Sequence, residues 1–283
     1  QTCALPISFE FPYHFDRRWA ASVVEFFPVM LRHSIGEFAG RPFELEPWQM
    51  FAIWCIFGWK RDDDNSRRFR KVYWSMARKN GKSSVAAGLC LFLGAGDIDP
   101  ATGKPEAVGQ ILLTATKKEQ AAVVYGECER MREQSSWIKK VTDCKNETIK
   151  YKTTGSFIRK VSSDKPFDGL NPHCVVMDEL HAWGEHHRKF YDTMVTGSGS
   201  RTQPLHLIIT TAGADDSHLW LENYNYACNV VKGTFVDESL FAIIYELDEG
   251  DDSGDDTLWI KANPNLGVSC KMDYLRQRWN EDK

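Results

Sequence analysis

Residues 75–83 read Ser-Met-Ala-Arg-Lys-Asn-Gly-Lys-Ser, and a Gly-Lys-Ser triplet opening a helix is suited to holding phosphate. Backbone N–H groups at the helix start, aligned with the positive end of its dipole, would cradle the phosphate oxygens. On this reading Ala77, Arg78, Lys79, Asn80, Gly81, Lys82, Ser83 and Ser84 surround a nucleotide. Lys82 would reach the β- and γ-phosphates, and the Ser83 hydroxyl would take Mg2+. The first glycine of the usual G-x-x-x-x-G-K-[ST] pattern is Met76 here. A second segment, His173-Cys174-Val175-Val176-Met177-Asp178-Glu179, is an apolar run closed by two acids. Asp178 would hold Mg2+ through Ser83 or water, and Glu179 would polarise the attacking water. Taken alone, this segment could be an ordinary strand ending in a helix-capping Asp. Paired with the phosphate loop, it points to hydrolysis of a nucleotide with Mg2+.

These side chains need elements to position them. The run Arg70-Lys71-Val72-Tyr73-Trp74 predicts a strand into the loop, and the Ala/Leu-rich stretch 84–92 predicts a helix out of it. Residues 109–116, 173–179, 205–211 and 240–245 read as further strands, with a helix over 118–134 and a hairpin within 147–162. A helix over 20–33 carries Pro28 as a kink or break, and Pro47 opens another with Trp48, Gln49, Phe51 and Trp54. Strands alternating with helices mean an α/β fold with a central, mainly parallel β-sheet flanked by helices. Residues 248–256, Asp-Glu-Gly-Asp-Asp-Ser-Gly-Asp-Asp, read as a solvated, flexible loop.

The chain has 283 residues, 42% hydrophobic and 26% charged, enough for a proper core. Its net charge of −4 excludes a global basic field, so any contact with DNA must be local. Candidate clusters are Arg67-Arg68-Phe69-Arg70-Lys71, Lys139-Lys140, and Lys150 with Lys152. No apolar run reaches the roughly 18 residues of a membrane span. Eight cysteines scattered without C-x-x-C spacing fit a reducing cytoplasm rather than a zinc site or disulfide framework. The chain begins at Gln1 and stops within a helical pattern, which reads as a fragment of something longer.

Together these residues resemble the ATPase domain of the large terminase subunit, the DNA-packaging motor of tailed bacteriophages. The resemblance spans roughly residues 20–280 and rests on four segments. They are the phosphate loop with Arg78, Asp178-Glu179-Leu180-His181-Ala182-Trp183, Gln203-Pro204-Leu205 running into Ile209-Thr210-Thr211-Ala212-Gly213, and Trp48-Gln49. It implies a P-loop NTPase of the RecA-like, additional-strand, catalytic-glutamate type. It implies that Arg78 stabilises charge on the γ-phosphate in cis, alongside Glu179 and Lys82. Gln49 would bond the adenine edge, and Thr210 and Thr211 would couple loss of the γ-phosphate to the parts that grip DNA. Some members carry an Arg-Gly pair before the acids that acts on the neighbouring subunit. The segment here is Asp164-Lys165-Pro166-Phe167-Asp168-Gly169-Leu170-Asn171-Pro172, which has no arginine, so Arg201 is the candidate trans arginine and Lys165 the runner-up.

The implied partners are double-stranded viral DNA, a portal protein and a small terminase subunit. The implied state is a monomer in isolation and a homo-oligomeric ring at the portal, in the host cytoplasm. The expected division is an N-terminal helical or lid segment (1–46), an ATPase core (47–247), and an acidic loop and linker (248–283) towards a nuclease domain. Nothing after residue 260 supplies a metal-binding carboxylate cluster, so ATP hydrolysis without DNA cleavage is expected. Asp178-Glu179-Leu180-His181 also fits the D-E-x-H of superfamily 2 helicases, which makes a helicase or translocase motor the alternative. A catalytically silent DNA-binding or scaffold module would have no need of intact Lys82, Ser83, Asp178 and Glu179.

Overall fold

A computed structural model describes residues 11–116, 118–163, 169–213 and 217–281. The strands are β1 (Tyr13–Phe15), β2 (Trp59–Arg61), β3 (Lys71–Ser75), β4 (Gln110–Ala115), β5 (Thr142–Lys145), β6 (Thr148–Tyr151), β7 (Phe157–Ser162), β8 (Pro172–Asp178), β9 (Leu205–Thr210) and β10 (Leu240–Ile244). The helices are α1 (Arg17–Met30), α2 (Pro47–Gly58), α3 (Lys82–Gly96), α4 (Lys118–Gln134), α5 (Ser136–Val141), α6 (Arg188–Thr196), α7 (His218–Val231) and α8 (Met272–Glu281). One sheet runs β10-β3-β9-β8-β4-β7-β6-β5. The six strands from β10 to β7 are parallel, and the hairpin partners β6 and β5 finish the edge antiparallel.

Every residue of β8 and β9 is buried, as strands covered on both faces must be. Alternate side chains divide between two cores. Val72, Trp74, Cys174, Val176, Leu207 and Ile209 pack with α1–α4; Tyr73, Val175, Met177 and Ile208 pack with α6 and α7. The expected strands and the 118–134 helix are present nearly to the residue. Pro28 lies inside α1, near its end, without breaking it: Leu31 N still donates to the Phe27 carbonyl. The small sheet of β1 and β2 and the edge strand β5 were not legible. They are only three or four residues long, too short for an alternation signal.

Two sequence readings change. The acidic loop is tied down: Lys261 Nζ contacts Asp248 Oδ2 at 2.6 Å and Asp251 Oδ2 at 2.8 Å. The basic run before the loop is not a surface cluster. Arg67 is fully buried, with Nη1 3.1 Å from Asp97 Oδ2, while Arg68 pairs with Glu238 and Lys71 Nζ donates to Asn223 Oδ1 at 3.0 Å.

Candidate functional site

β3, β9 and β8 end side by side, because Ser75 pairs with Thr210 and Ile209 with Asp178. β9 therefore stands between the strand feeding the phosphate loop and the strand carrying the acids, so residues distant in sequence meet at one sheet edge. Parallel α/β sheets place their ligands at this carboxyl end.

The loop turns into α3 through Gly81, whose φ of +81° suits a residue without Cβ. Lys79 also sits at φ +67°, which costs a non-glycine residue roughly 1–2 kcal/mol. Met76, in place of the usual glycine, is buried in the core. Lys82 Nζ folds back onto the loop, donating to the Met76 carbonyl at 2.8 Å and the Ala77 carbonyl at 2.9 Å. Burial lowers its pKa to about 8, opposed by the charges of Glu179 and Asp178. Arg78 and Lys79 are exposed, Asn80 is buried, and Ser83 lies half-buried in the first turn of α3. Ser84 belongs to the loop by backbone only, since its hydroxyl donates to Glu127 Oε1 at 3.2 Å. Gln49 is buried beside the loop. Its Oε1 caps α2 by accepting from Glu46 N at 3.0 Å, and its Nε2 lies 3.3 Å from where a Cβ on Gly81 would be.

Asp178 is buried, and its Oδ1 has no hydrogen-bond partner among the described residues. Burial, then the neighbouring Glu179 charge, raises its pKa to about 7. An orphaned carboxylate oxygen, with the half-buried Ser83 hydroxyl at the start of α3, offers the oxygen donors that Mg2+, a hard cation, prefers. Glu179, at φ +53°, is held apart from Asp178 in the left-handed region. Burial pushes its pKa up, but the His181 hydrogen bond and the charges of His181, Lys82 and Arg78 outweigh this, leaving it below the usual value. It therefore stays ionised, as a base must.

His181 joins the parts. Its Nδ1 lies 3.0 Å from Glu179 Oε2, 3.2 Å from Thr211 Oγ1 and 3.4 Å from Thr210 Oγ1, and its backbone N–H donates to Thr210 Oγ1 at 3.2 Å. The two threonines thus reach Glu179 through one imidazole, a link that the sequence reading did not assign to His181. Residues 262–269 also enter the site against the phosphate loop, although their sequence reads only as a passage between domains.

Arg201 is not at this edge. It lies at the opposite, amino end of the strands, ion-paired with Glu106 at 2.6 Å and bonded to the carbonyls of Asn171, Ala107 and Val108. Its guanidinium is committed within its own chain, which argues against its reaching into a neighbouring subunit. Lys165 falls outside the described residues.

A family model described as terminase large subunit, ATPase domain, matches residues 47–229, and one described as its endonuclease domain matches 234–282. The second match gives the C-terminal stretch, read as an acidic loop and linker towards a nuclease domain, a likeness to the endonuclease domain itself, which was not expected within this chain. Protein YmfN of Escherichia coli (strain K12) is 43% identical over 109 residues, 38% of this chain and 23% of that protein. The large terminase subunit of Enterobacteria phage HK97 is 27% identical over 251 residues, 86% of this chain and 45% of that protein. The chain therefore spans less than half the length of these relatives. The crystal structure of the HK97 large terminase superposes with a TM-score of 0.78 at 22% identity, covering 93% of this chain and 51% of that one, a likeness of fold. The helicase alternative finds no support among these matches. With the ATPase-domain match covering more than half of its residues, the chain belongs to the terminase large subunit ATPase domain family.

Proposed function

We propose that this chain binds Mg-ATP at the carboxyl edge of β3, β9 and β8 and hydrolyses it to drive double-stranded DNA in viral packaging. The observation that carries the reading is the convergence there of a buried lysine and two acids with opposite environments. Lys82 leaves the Met76 and Ala77 carbonyls for the β- and γ-phosphates, and the loop N–H groups cradle them. Ser83 and Asp178 would hold Mg2+, which when bound supplies positive charge against the phosphate oxygens. Glu179, kept ionised and aimed by His181, takes the proton of the attacking water. Arg78 faces the γ-phosphate charge from the exposed side of the loop. Gln49 borders the adenine, and Thr210 and Thr211 pass the state of the base to β9 through His181. Portal protein, small terminase subunit and further copies in a ring are the partners this work requires.

The test is direct. Lys82→Ala should abolish nucleotide binding, whereas Glu179→Gln should bind ATP normally but hydrolyse it about 10²–10⁴ times more slowly. Phosphate release by Glu179→Gln at the wild-type rate would show that another group is the base.

A further inference from the structure

We propose that Asn263 and Asn265 are positioning residues for ATP. In this proposal the segment 259–270, inside the stretch matched by the endonuclease-domain family, holds the phosphate loop in its binding shape and responds to its occupancy. This rests on the nucleotide reading above.

A phosphate loop works by aiming its N–H groups inward, so its carbonyls and side chains must be held from behind. In most P-loops glycines ease that geometry; here Met76 and Lys79 stand in the loop, with Lys79 left-handed. The support comes from the C-terminal segment. Asn80, Asn263 and Asn265 are all buried. Asn80 Nδ2 donates to Asn263 Oδ1 at 3.0 Å and to the Ala77 and Arg78 carbonyls at 3.1 Å, and Asn80 Oδ1 accepts from Asn265 N at 2.9 Å. Ala77 N donates to the Ala262 carbonyl at 3.2 Å, and Ser269 Oγ to the Lys79 carbonyl at 2.6 Å. Asn263 Nδ2 is anchored on the Trp259 carbonyl at 3.0 Å; Asn265 Oδ1 accepts from Trp48 Nε1 at 3.0 Å. Four consecutive loop residues, 77 to 80, are thus bonded directly or through Asn80 to this one segment. Phosphate drawing on the loop N–H groups and asparagines drawing on its other side are coupled, and such coupling is reciprocal.

The experiment uses the full chain and titrates Mg-ATP into wild type, Asn80→Ala, Asn263→Ala, Asn265→Ala, Ser269→Ala and the Asn80→Ala/Asn263→Ala double variant, with Lys82→Ala as control. Removing a buried amide should raise Kd and KM about tenfold, and Ser269→Ala about threefold, with kcat changed less than about threefold. Ser269 is exposed, so its variant keeps the test open if an asparagine variant does not fold. The double variant should lose less than the sum of its parents' losses, because the Asn80–Asn263 bond is already gone in either parent. ADP should slow hydrogen exchange at the Asn265 amide in wild type but not in Asn80→Ala. Wild-type Kd in the asparagine and serine variants, or additive losses in the double variant, would overturn the clamp while Lys82→Ala still reported a nucleotide site. Absence of ATP binding by wild type would overturn both readings.

Discussion

Asp178 and Glu179 are adjacent carboxylates with opposite tendencies, and the difference is environmental. Asp178 is the last residue of an all-buried strand and has no cation paired directly with it among the described residues, so burial raises its pKa to about 7. Glu179, one residue later, turns left-handed and meets His181 at 3.0 Å, and its pKa falls. In the proposed function one acid serves a cation and the other takes a proton. Arg201 illustrates the converse, a residue type suggestive of chemistry but occupied by structure. Its side chain is mostly buried and paired with an equally buried Glu106. Arg201→Ala should therefore lower stability by about 3–5 kcal/mol by leaving Glu106 unpaired, with kcat per folded chain unchanged. Chemical denaturation beside a turnover assay separates the two effects.

Among the elements, β9 has the most to do. It spaces the phosphate-loop strand from the acid strand, leads at Thr210 and the following Thr211 to His181, and carries His206 as its second residue. His206 bonds Ser198 Oγ at 2.8 Å, and burial, with the nearby Lys71 charge, pushes its pKa down to about 4. Asn223 shares in holding that Lys71 ammonium, at 3.0 Å. A depressed folded pKa means that the stability contribution of His206 is complete above its unfolded pKa of about 6.5 and is lost as pH falls towards 4. At pH 5 the loss is about 2 kcal/mol. Urea unfolding of wild type at pH 7.5 and pH 5 should show this fall, and His206→Gln should reduce it by that amount. An equal fall in both proteins would place the acid sensitivity elsewhere.

For the whole molecule, with Arg67 and Arg68 buried and Lys71 held by Asn223, the exposed lysines 139, 140, 150 and 152, near the β5–β6 edge, are what is left of the candidate DNA clusters. Lys139 and Lys152 are already drawn to Glu133 and Asp143. Duplex DNA should thus bind weakly, without sequence preference and with steep salt dependence, and Lys140→Glu/Lys150→Glu should weaken it further. Competition binding that survives high salt, or that prefers one sequence, would contradict this. The ring proposal predicts a separate behaviour. An arginine reaching in from a neighbour accelerates P-loop enzymes about 10³–10⁵-fold, so activity per chain should rise with protein concentration or with portal added. A specific activity independent of both would argue for a self-sufficient site.

Lys82, Ser83, Asp178 and Glu179 could be picked out because each lies at a junction, the first pair where the loop enters α3 and the second where β8 ends, and strand pattern, helix pattern and residue types are all local properties. The parallel α/β architecture was legible for the same reason: apolar runs of six or seven residues between helices admit few other arrangements. Local pattern could not decide which charged residues remain free. Arg67 and Arg201 look like any surface arginine until the fold sets Asp97 beside one and Glu106 beside the other. Nor could it say that residue 265 would lie against residue 80, or that His181 would join the base to β9. Those contacts depend on which strands and turns end at one edge of the sheet, which only the folded chain brings together.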